Sequence, residues 1–269
     1  MNILDEIIAH KKKEVAQRKM LYPVALLEKS IYFETPVVSL TKYLLRPDKS
    51  GIIAEFKRRS PSKGNINPYA SVERVSMGYM QGGASALSVL TDEQFFGGQN
   101  SDLTEARKFN FCPILRKDFV LDEYQIIEAR SIGADAVLLI AECLEKDQLD
   151  ALAKKAKSLG LEVLMEIHSG DQLDKLSEAV DLVGVNNRNL KDFSVDIQTS
   201  LELADQIPNN LVKISESGIS SADAILRLKE VGYAGFLIGE HFMKTPNPPK
   251  SCAALVNEIK KGVTAKVNK

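Results

Sequence analysis

Ile52-Ile53-Ala54-Glu55-Phe56-Lys57-Arg58-Arg59-Ser60-Pro61-Ser62-Lys63-Gly64 opens the ordered alternation of this 269-residue chain. Its first half is a continuous apolar run, as in a parallel strand covered on both faces. It closes with Glu55 and Lys57 two residues apart, which a pleated strand turns to one face. A Ser/Pro/Gly loop carrying further cations follows. Two readings fit: an ion pair at a strand end, or the rim of a site for an anionic substrate. After this first run (52–57) seven more strand-like runs follow, at 86–91, 113–119, 136–141, 162–168, 182–187, 212–217 and 235–239. Helical stripes lie between most of them. The clearest is 147–159, where Leu149, Leu152, Ala153, Ala156 and Leu159 share a face and Gly160 stops the helix. Eight βα units in this length predict an α/β fold of the TIM (β/α)8 barrel type, with a doubly wound open sheet as the alternative.

The segment ahead of the first strand reads as a helical N-terminal extension. Residues 2 to about 20 carry Ile3, Leu4, Ile7 and Ile8 at helical spacing, Lys11-Lys12-Lys13 reads as a solvated face, and Tyr22-Pro23 interrupts the helix. Residues 1–50 thus precede a barrel over 51–269, the two forming one structural domain with the extension over the barrel mouth. Lys+Arg 35 against Asp+Glu 36 leaves a net charge of -1, so no global field favours nucleic acid or an anionic membrane, and any anion site must be local. Met1-Asn2-Ile3-Leu4-Asp5-Glu6 has neither a cationic start nor a long apolar core, and the run Ala136 to Ala141 is too short to span a bilayer; a cytoplasmic protein is expected. Cys112, Cys143 and Cys252 form no Cys-x-x-Cys pair and the three histidines are scattered, so neither a disulfide framework nor a metal site is expected.

A barrel assembles its active site from the carboxyl ends of several strands. Those ends offer Glu55 and Lys57, then Arg116, Lys117 and Asp118, then Glu166 and His168, then Asn186, Asn187 and Arg188, then Ser215, Glu216 and Ser217. The opposite end reads as lacking such groups. The last two strands close on Ser217-Gly218-Ile219 and Ile238-Gly239-Glu240, where glycines free backbone N–H groups for a phosphate and Lys57 lies on the neighbouring first strand. Two glycines in tight turns are the alternative.

These blocks resemble the indole-3-glycerol phosphate synthase family across nearly the whole chain. They are Ile53 to Ser62, Ser88-Val89-Leu90-Thr91-Asp92 with Phe95-Phe96-Gly97-Gly98, Leu115-Arg116-Lys117-Asp118-Phe119, Leu164-Met165-Glu166, Gly184 to Leu190, Ser215-Glu216-Ser217-Gly218-Ile219, and Leu237-Ile238-Gly239-Glu240. One departure is His241, where the family pattern suggests a small hydroxyl residue. The resemblance implies ring closure of 1-(2-carboxyphenylamino)-1-deoxyribulose 5-phosphate to indole-3-glycerol phosphate, with loss of carbon dioxide and water, in tryptophan biosynthesis. It implies Lys117 as the general acid, its pKa lowered by a cationic neighbourhood, and Lys57 as a second donor that also balances the substrate's anions. Glu55 and Glu166 are the candidate bases, the choice between them left open, and Asn186 completes the catalytic set. Arg188, Ser217, Ser60 and Glu216 would position substrate, and Phe95, Phe119 and Leu138, with Phe96, would form the aryl slot; for Phe95 and Phe96 a place in the core is the alternative. Gly218, Gly239, Glu240 and Lys57 would hold the phosphate. No cofactor is implied. The expected partner is a small-molecule phosphosugar, acting on a monomer or weak homodimer, with association with other tryptophan-pathway enzymes left open. A Schiff-base aldolase, a phosphoribosylanthranilate isomerase and a non-catalytic sugar-phosphate binder are the rival readings.

Overall fold

A computed structural model of the chain describes residues 3–189 and 193–267; Asn2, at the start of the expected first helix, and Leu190, at the end of one matching block, lie outside them. The eight apolar runs become parallel strands β1 (Ile52–Phe56), β4 (Ala86–Leu90), β5 (Ile114–Lys117), β6 (Ala136–Ile140), β7 (Glu162–Ile167), β8 (Leu182–Asn186), β9 (Val212–Glu216) and β10 (Tyr233–Ile238). They close into a barrel when β10 pairs with β1, Ala54 opposite Ile238. The intervening labels belong to a two-residue antiparallel ribbon, β2 (Arg59–Ser60) and β3 (Gly64–Asn65), inside the first loop. An open sheet is thereby excluded.

Helices follow most strands: α4 (Val72–Gln81), α5 (Glu93–Phe96), α6 (Asn100–Phe109), α7 (Glu123–Ser131), α8 (Lys146–Ser158), α9 (Gln198–Leu203), α10 (Ala222–Glu230), α11 (Glu240–Met243) and α12 (Pro248–Val267). Ser71, Asp122 and Ser221 start three of them by accepting a backbone N–H, which satisfies a donor left over at a helix amino end. The sequence gives no clear stripe for α6 because only Leu103 and Ala106 of it are buried apolar residues, beside a buried Asp102. Between β7 and β8 the chain makes only a 3-10 segment, Gly170–Lys175. Among the described residues no helix is long and apolar enough to cross a membrane.

Alternation along the strands divides the core in two. One set, including Ala54, Val89, Val137, Met165, Val183 and Ile238, packs against the outer helices. The other, including Ile53, Leu115, Leu138, Leu164, Leu182 and Ile214, fills the barrel interior. Leu40 and Leu44 of α3 (Leu40–Leu44) belong to this second set and plug the amino-terminal end of the barrel. Fully burying each leucine contributes roughly 1.5–3 kcal/mol. The first fifty residues therefore divide between the two ends of the barrel. Ile3, Leu4 and Ile7 of α1 (Ile3–Leu21) reach the cavity at the carboxyl ends of the strands, while α3 seals the floor.

The floor end also corrects the expectation that it lacks polar groups. Glu162 at the start of β7 accepts from Thr41 N at 2.9 Å and from the Ser39 hydroxyl, and Asp135 accepts from Val38 N and Ile114 N while pairing with Arg107. Chain segments crossing the floor leave backbone N–H groups without ladder partners, and the buried Asp135 and half-buried Glu162 satisfy them.

A second correction concerns Lys11. It is not solvated: it lies between Ile7 and Val15 on the buried face of α1 and is 0% exposed. Its ammonium meets Asp92 at 2.9 Å, Asp118 at 3.0 Å and Glu14 at 2.9 Å. Burial alone would favour the neutral amine, but Asp118, Asp92 and Glu14 outweigh it and raise its pKa above the ordinary value. Asp118 continues the network to Thr91 and Arg116, Arg116 to Glu128, and Glu128 back to Arg18 of α1. Removing one partner of such a buried set strands the other charges. Lys11→Met is expected to lower stability by about 3–5 kcal/mol, read as a lowered denaturant midpoint, whereas Lys12→Met at an exposed neighbouring position stays within roughly 0.5 kcal/mol. Equal midpoints for the two variants would refute the clamp.

Candidate active site

The two-residue period decides which strand-end group reaches the mouth. Glu55 of β1, Lys117 of β5, Glu166 of β7, Asn186 of β8 and Glu216 of β9, with Lys57, His168 and Arg188 just past the ends of β1, β7 and β8, all line one cavity of about 440 Å³. Arg116, Asp118, Asn187 and Ser215, their immediate neighbours, turn outward. Arg116 meets Glu128 at 2.6 Å and serves the barrel's outer layer, while Asp118 joins the Lys11 network at the edge of the cavity. Asn187 bonds Ser215, Ser200 and the carbonyl of Ser217, bracing that turn from behind.

Lys117 stands at the centre. Its ammonium lies 2.6 Å from Glu166 Oε2 and 3.0 Å from Glu216 Oε2. The expected cationic neighbourhood is therefore absent from this lysine. Burial works against its charge, but Glu166, Glu216 and Glu55 outweigh it and raise the pKa above the ordinary lysine value. At neutral pH it stays an ammonium. Glu166 is opposed by burial yet held well below the usual carboxylate range by Lys117 and His168, and Asn186 Nδ2 donates to its second oxygen at 3.0 Å. Lys57 pairs with Glu55 at 2.7 Å on the first strand.

Apolar groups collect on one side of these charges. Leu90, Phe96, Phe119, Leu138 and Ile140 from neighbouring strands and loops line the cavity, joined by Ile3, Leu4 and Ile7 from α1. Phe95 does not line it: Asp92 caps α5 by accepting from Phe95 N and Phe96 N, which turns the Phe96 ring to Phe119 and sends the Phe95 ring edge-on to His10. On this four-residue helix adjacent aromatic residues point apart.

The other side is built from turns. Ser217 and Gly218 take φ of 68° and 74°, left-handed values that a serine adopts only when its surroundings hold it there. Gly218, Gly239, Ser60, His241 and Lys244 line this side as well. Gly239 carries a further constraint, since the space its Cβ would need holds Glu55 Oε1. Glu240, expected among the phosphate groups, faces Arg188 at 3.6 Å, and a carboxylate there repels rather than binds an anion. Arg188 also donates to the Phe193 carbonyl at 3.2 Å.

Three contributors were not singled out from the sequence. α1 supplies part of the aryl side, and its Ile3, Leu4 and Ile7 carried only a generic helical stripe. Phe193 and Val195 enter from the loop after β8, which has no period to read. His168 was noted at a strand end without a role; its place two residues after Glu166 puts it inward, where both ring nitrogens are buried without a hydrogen-bond partner among the described residues and Nε2 lies 3.7 Å from Glu166.

Similarity to known proteins agrees with this geometry. Residues 4–255 match the family model for indole-3-glycerol phosphate synthase. A protein named indole-3-glycerol phosphate synthase from Bacteroides thetaiotaomicron is 48% identical over 258 residues, covering 96% of this chain and 99% of its own. One of the same name from Thermoanaerobacter pseudethanolicus is 42% identical, covering 97% and 99%. Solved structures share the barrel: 3-hexulose-6-phosphate synthase from Salmonella typhimurium, with a TM-score of 0.62 at 11% identity over 78% of this chain and 99% of that one, and tryptophan synthase subunit alpha from Legionella pneumophila, at 0.58 and 12% over 80% and 92%. At such identities the structural likeness speaks for the fold alone. A family match over residues 4–255 and relatives 48% and 42% identical across nearly the whole chain show that it belongs to the indole-3-glycerol phosphate synthase family.

Proposed function

We propose that the chain closes 1-(2-carboxyphenylamino)-1-deoxyribulose 5-phosphate to indole-3-glycerol phosphate, releasing carbon dioxide and water, in tryptophan biosynthesis. The observation that carries the residue roles is the Lys117 ammonium, held at 2.6 Å and 3.0 Å by two carboxylates inside a cavity that is apolar on one side and turn-built on the other. The aryl ring lies against Phe96, Phe119 and Leu138; the phosphate lies near Gly218, Gly239 and Lys57. That pose brings the substrate ketone to the middle of the barrel, beside Lys117.

Attack of the ring carbon on the ketone develops an alkoxide, and Lys117 donates its proton there. An alkoxide is a far stronger base than an amine, so a lysine with a raised pKa is still acid enough, and it is fully charged when needed. Asn186 and Glu166 hold it in line. Dehydration then needs an acid for the departing hydroxyl and a base for a proton on the methylene carbon beside nitrogen; Lys57 and Glu55, paired at 2.7 Å, are assigned that step, with Glu166 as the alternative base. Arg188, Ser217 and Ser60 position the sugar chain. An aldolase needs a neutral amine as nucleophile, and the two carboxylates on Lys117 disfavour that form. We place this activity in a monomer or weak homodimer in the cytoplasm, with extension and barrel acting as one unit.

Indole fluorescence appearing on addition of the anilino-ribulose phosphate tests the reaction directly, and the chain's lack of Trp keeps the background low. Gly218→Val forces a branched residue into a left-handed turn against Val195. It is expected to raise KM roughly tenfold or more, a loss of about 1.4 kcal/mol or more of binding, in a folded protein. An unchanged KM would remove the phosphate from that turn. Lys117→Arg keeps the charge but yields its proton poorly, so it should lose about 10²–10⁴-fold in kcat, nearly as much as Lys117→Ala, while product still binds. Recovery of most of the wild-type kcat by arginine would make Lys117 an electrostatic clamp.

A further inference from the structure

Gly184 occupies an inward position of β8, in register with Glu166 on β7 and Ile214 on β9. Glu166 and Ile214 send side chains inward from the two strands that flank it. Here the space a Cβ would take is filled by Glu216 Oε1, and Leu164 Cδ1 stands 3.2 Å from that point. Glu216 is 1% exposed, and Oε1 has no hydrogen-bond partner among the described residues. Its other oxygen has Lys117. The two carboxylates beside Lys117 are thus unequal. Glu166 has Lys117, Asn186 and the nearby His168; Glu216 has Lys117 and an apolar niche.

One ammonium cannot neutralise two enclosed carboxylates, and a third, Glu55, lies close by with Lys57 as its own partner. A proton shared among these groups settles on the carboxyl group with the poorest solvation. We propose that Gly184 is a positioning residue: by lacking a Cβ it seats Glu216 in this niche as the neutral acid, ready to return a proton to Lys117. Consistently, burial pushes the Glu216 carboxyl up to about 8 against the pull of Lys117, and the negative charges of Glu166 and Glu55 add to the rise.

The stoichiometry of the proposed reaction gives such a proton a use, and the inference rests on Lys117 being the first donor. The alkoxide takes one proton from the Lys117 ammonium, forming an O–H bond and leaving an amine. The amine takes the Glu216 carboxyl proton, leaving a carboxylate. Loss of carbon dioxide returns the bonding pair to the aromatic ring. The departing hydroxyl takes a second proton to leave as water, and a base receives one from the methylene carbon. Two protons are consumed and one recovered, so each turnover draws one proton from solvent, and that proton reprotonates Glu216.

Difference infrared spectra of the full chain, recorded without substrate on either side of about pH 8, test the seat independently of the reaction assigned. A protonated-carboxyl stretch is expected on the acid side, absent from Glu216→Gln and absent from Gly184→Ala, whose methyl group pushes the carboxyl toward the solvated cavity. No such band in the wild type, or a band surviving Glu216→Gln, overturns the neutral acid; a band surviving Gly184→Ala overturns the role of the glycine. In turnover, Glu216→Gln and Gly184→Ala should each lose roughly 10²-fold in kcat with KM little changed. Gly184→Ala/Glu216→Asp, in which the shorter acid clears the new methyl group, should regain at least about tenfold. Wild-type kcat in both single variants refutes the proton return. Should Gly184→Ala alone fail to fold, the Glu216→Gln spectrum decides the neutral acid and the double variant decides the seat.

Discussion

Charge confined within the barrel is the constraint to which the rest of the site answers. An ammonium, two carboxyl groups and a neighbouring Glu–Lys pair sit within a closed ring of strands, where water screens them poorly and each finds its partner among the others. The distances around Lys117 follow from that requirement, and so do the glycines. Gly184 and Gly239 stand where carboxylate oxygens of Glu216 and Glu55 need room, so side-chain volume is given up on two strands to let acids lie flat against the wall. A glycine that in isolation suggests a phosphate turn is also, at position 239, part of the packing of an acid.

The same confinement operates on the outer side of the strands. Lys11, Asp92, Asp118, Arg116 and Glu128 form a second buried set, with the half-exposed Arg18 at its edge, joining α1 to the loops that follow β4 and β5. Asp118 follows Lys117 directly, and Asp92 caps the short helix that presents Phe96. The extension is thereby tied, through charge, to the two chain segments that present Lys117 and Phe96, while its own Ile3, Leu4 and Ile7 complete the apolar side of the cavity.

Much of this was legible because it depends on short-range pattern. Continuous apolar runs separated by helical stripes gave the barrel, and a two-residue step from an inward residue identifies the next, which is how Glu55 with Lys57 declared itself. The same rule, applied strictly, separates Lys117 from Arg116 and Asp118; counting every polar residue at the strand ends blurred that distinction. Lys11 had its own signal in the spacing Ile7, Lys11, Val15 on one helical face, but its carboxylate partners lie in distant loops and no local pattern announces them. The floor carboxylates Glu162 and Asp135 were missed for a related reason: they answer backbone N–H groups of α3 and its approach, whose path over the barrel end is a tertiary fact. The electrostatic sense of the site was also out of reach, because whether a lysine meets cations or carboxylates depends on which strands face each other across the barrel.

The floor plug sets an order of assembly. Leu44 packs against Gly235 on β10, the last strand of the barrel, where a Cβ would meet Leu44 Cδ1 at 3.1 Å, and both plug leucines share the interior with residues from β1 to β10. As the chain leaves the ribosome, α3 emerges ahead of every strand that will receive it. Its apolar face gains its full seat only when the final strand has been synthesised and the ring has closed. Contacts so distant in sequence form slowly, since the intervening chain must be ordered before they are gained. A segment made ahead of every strand thus completes its packing only with the last of them, and until then its two leucines are incompletely covered.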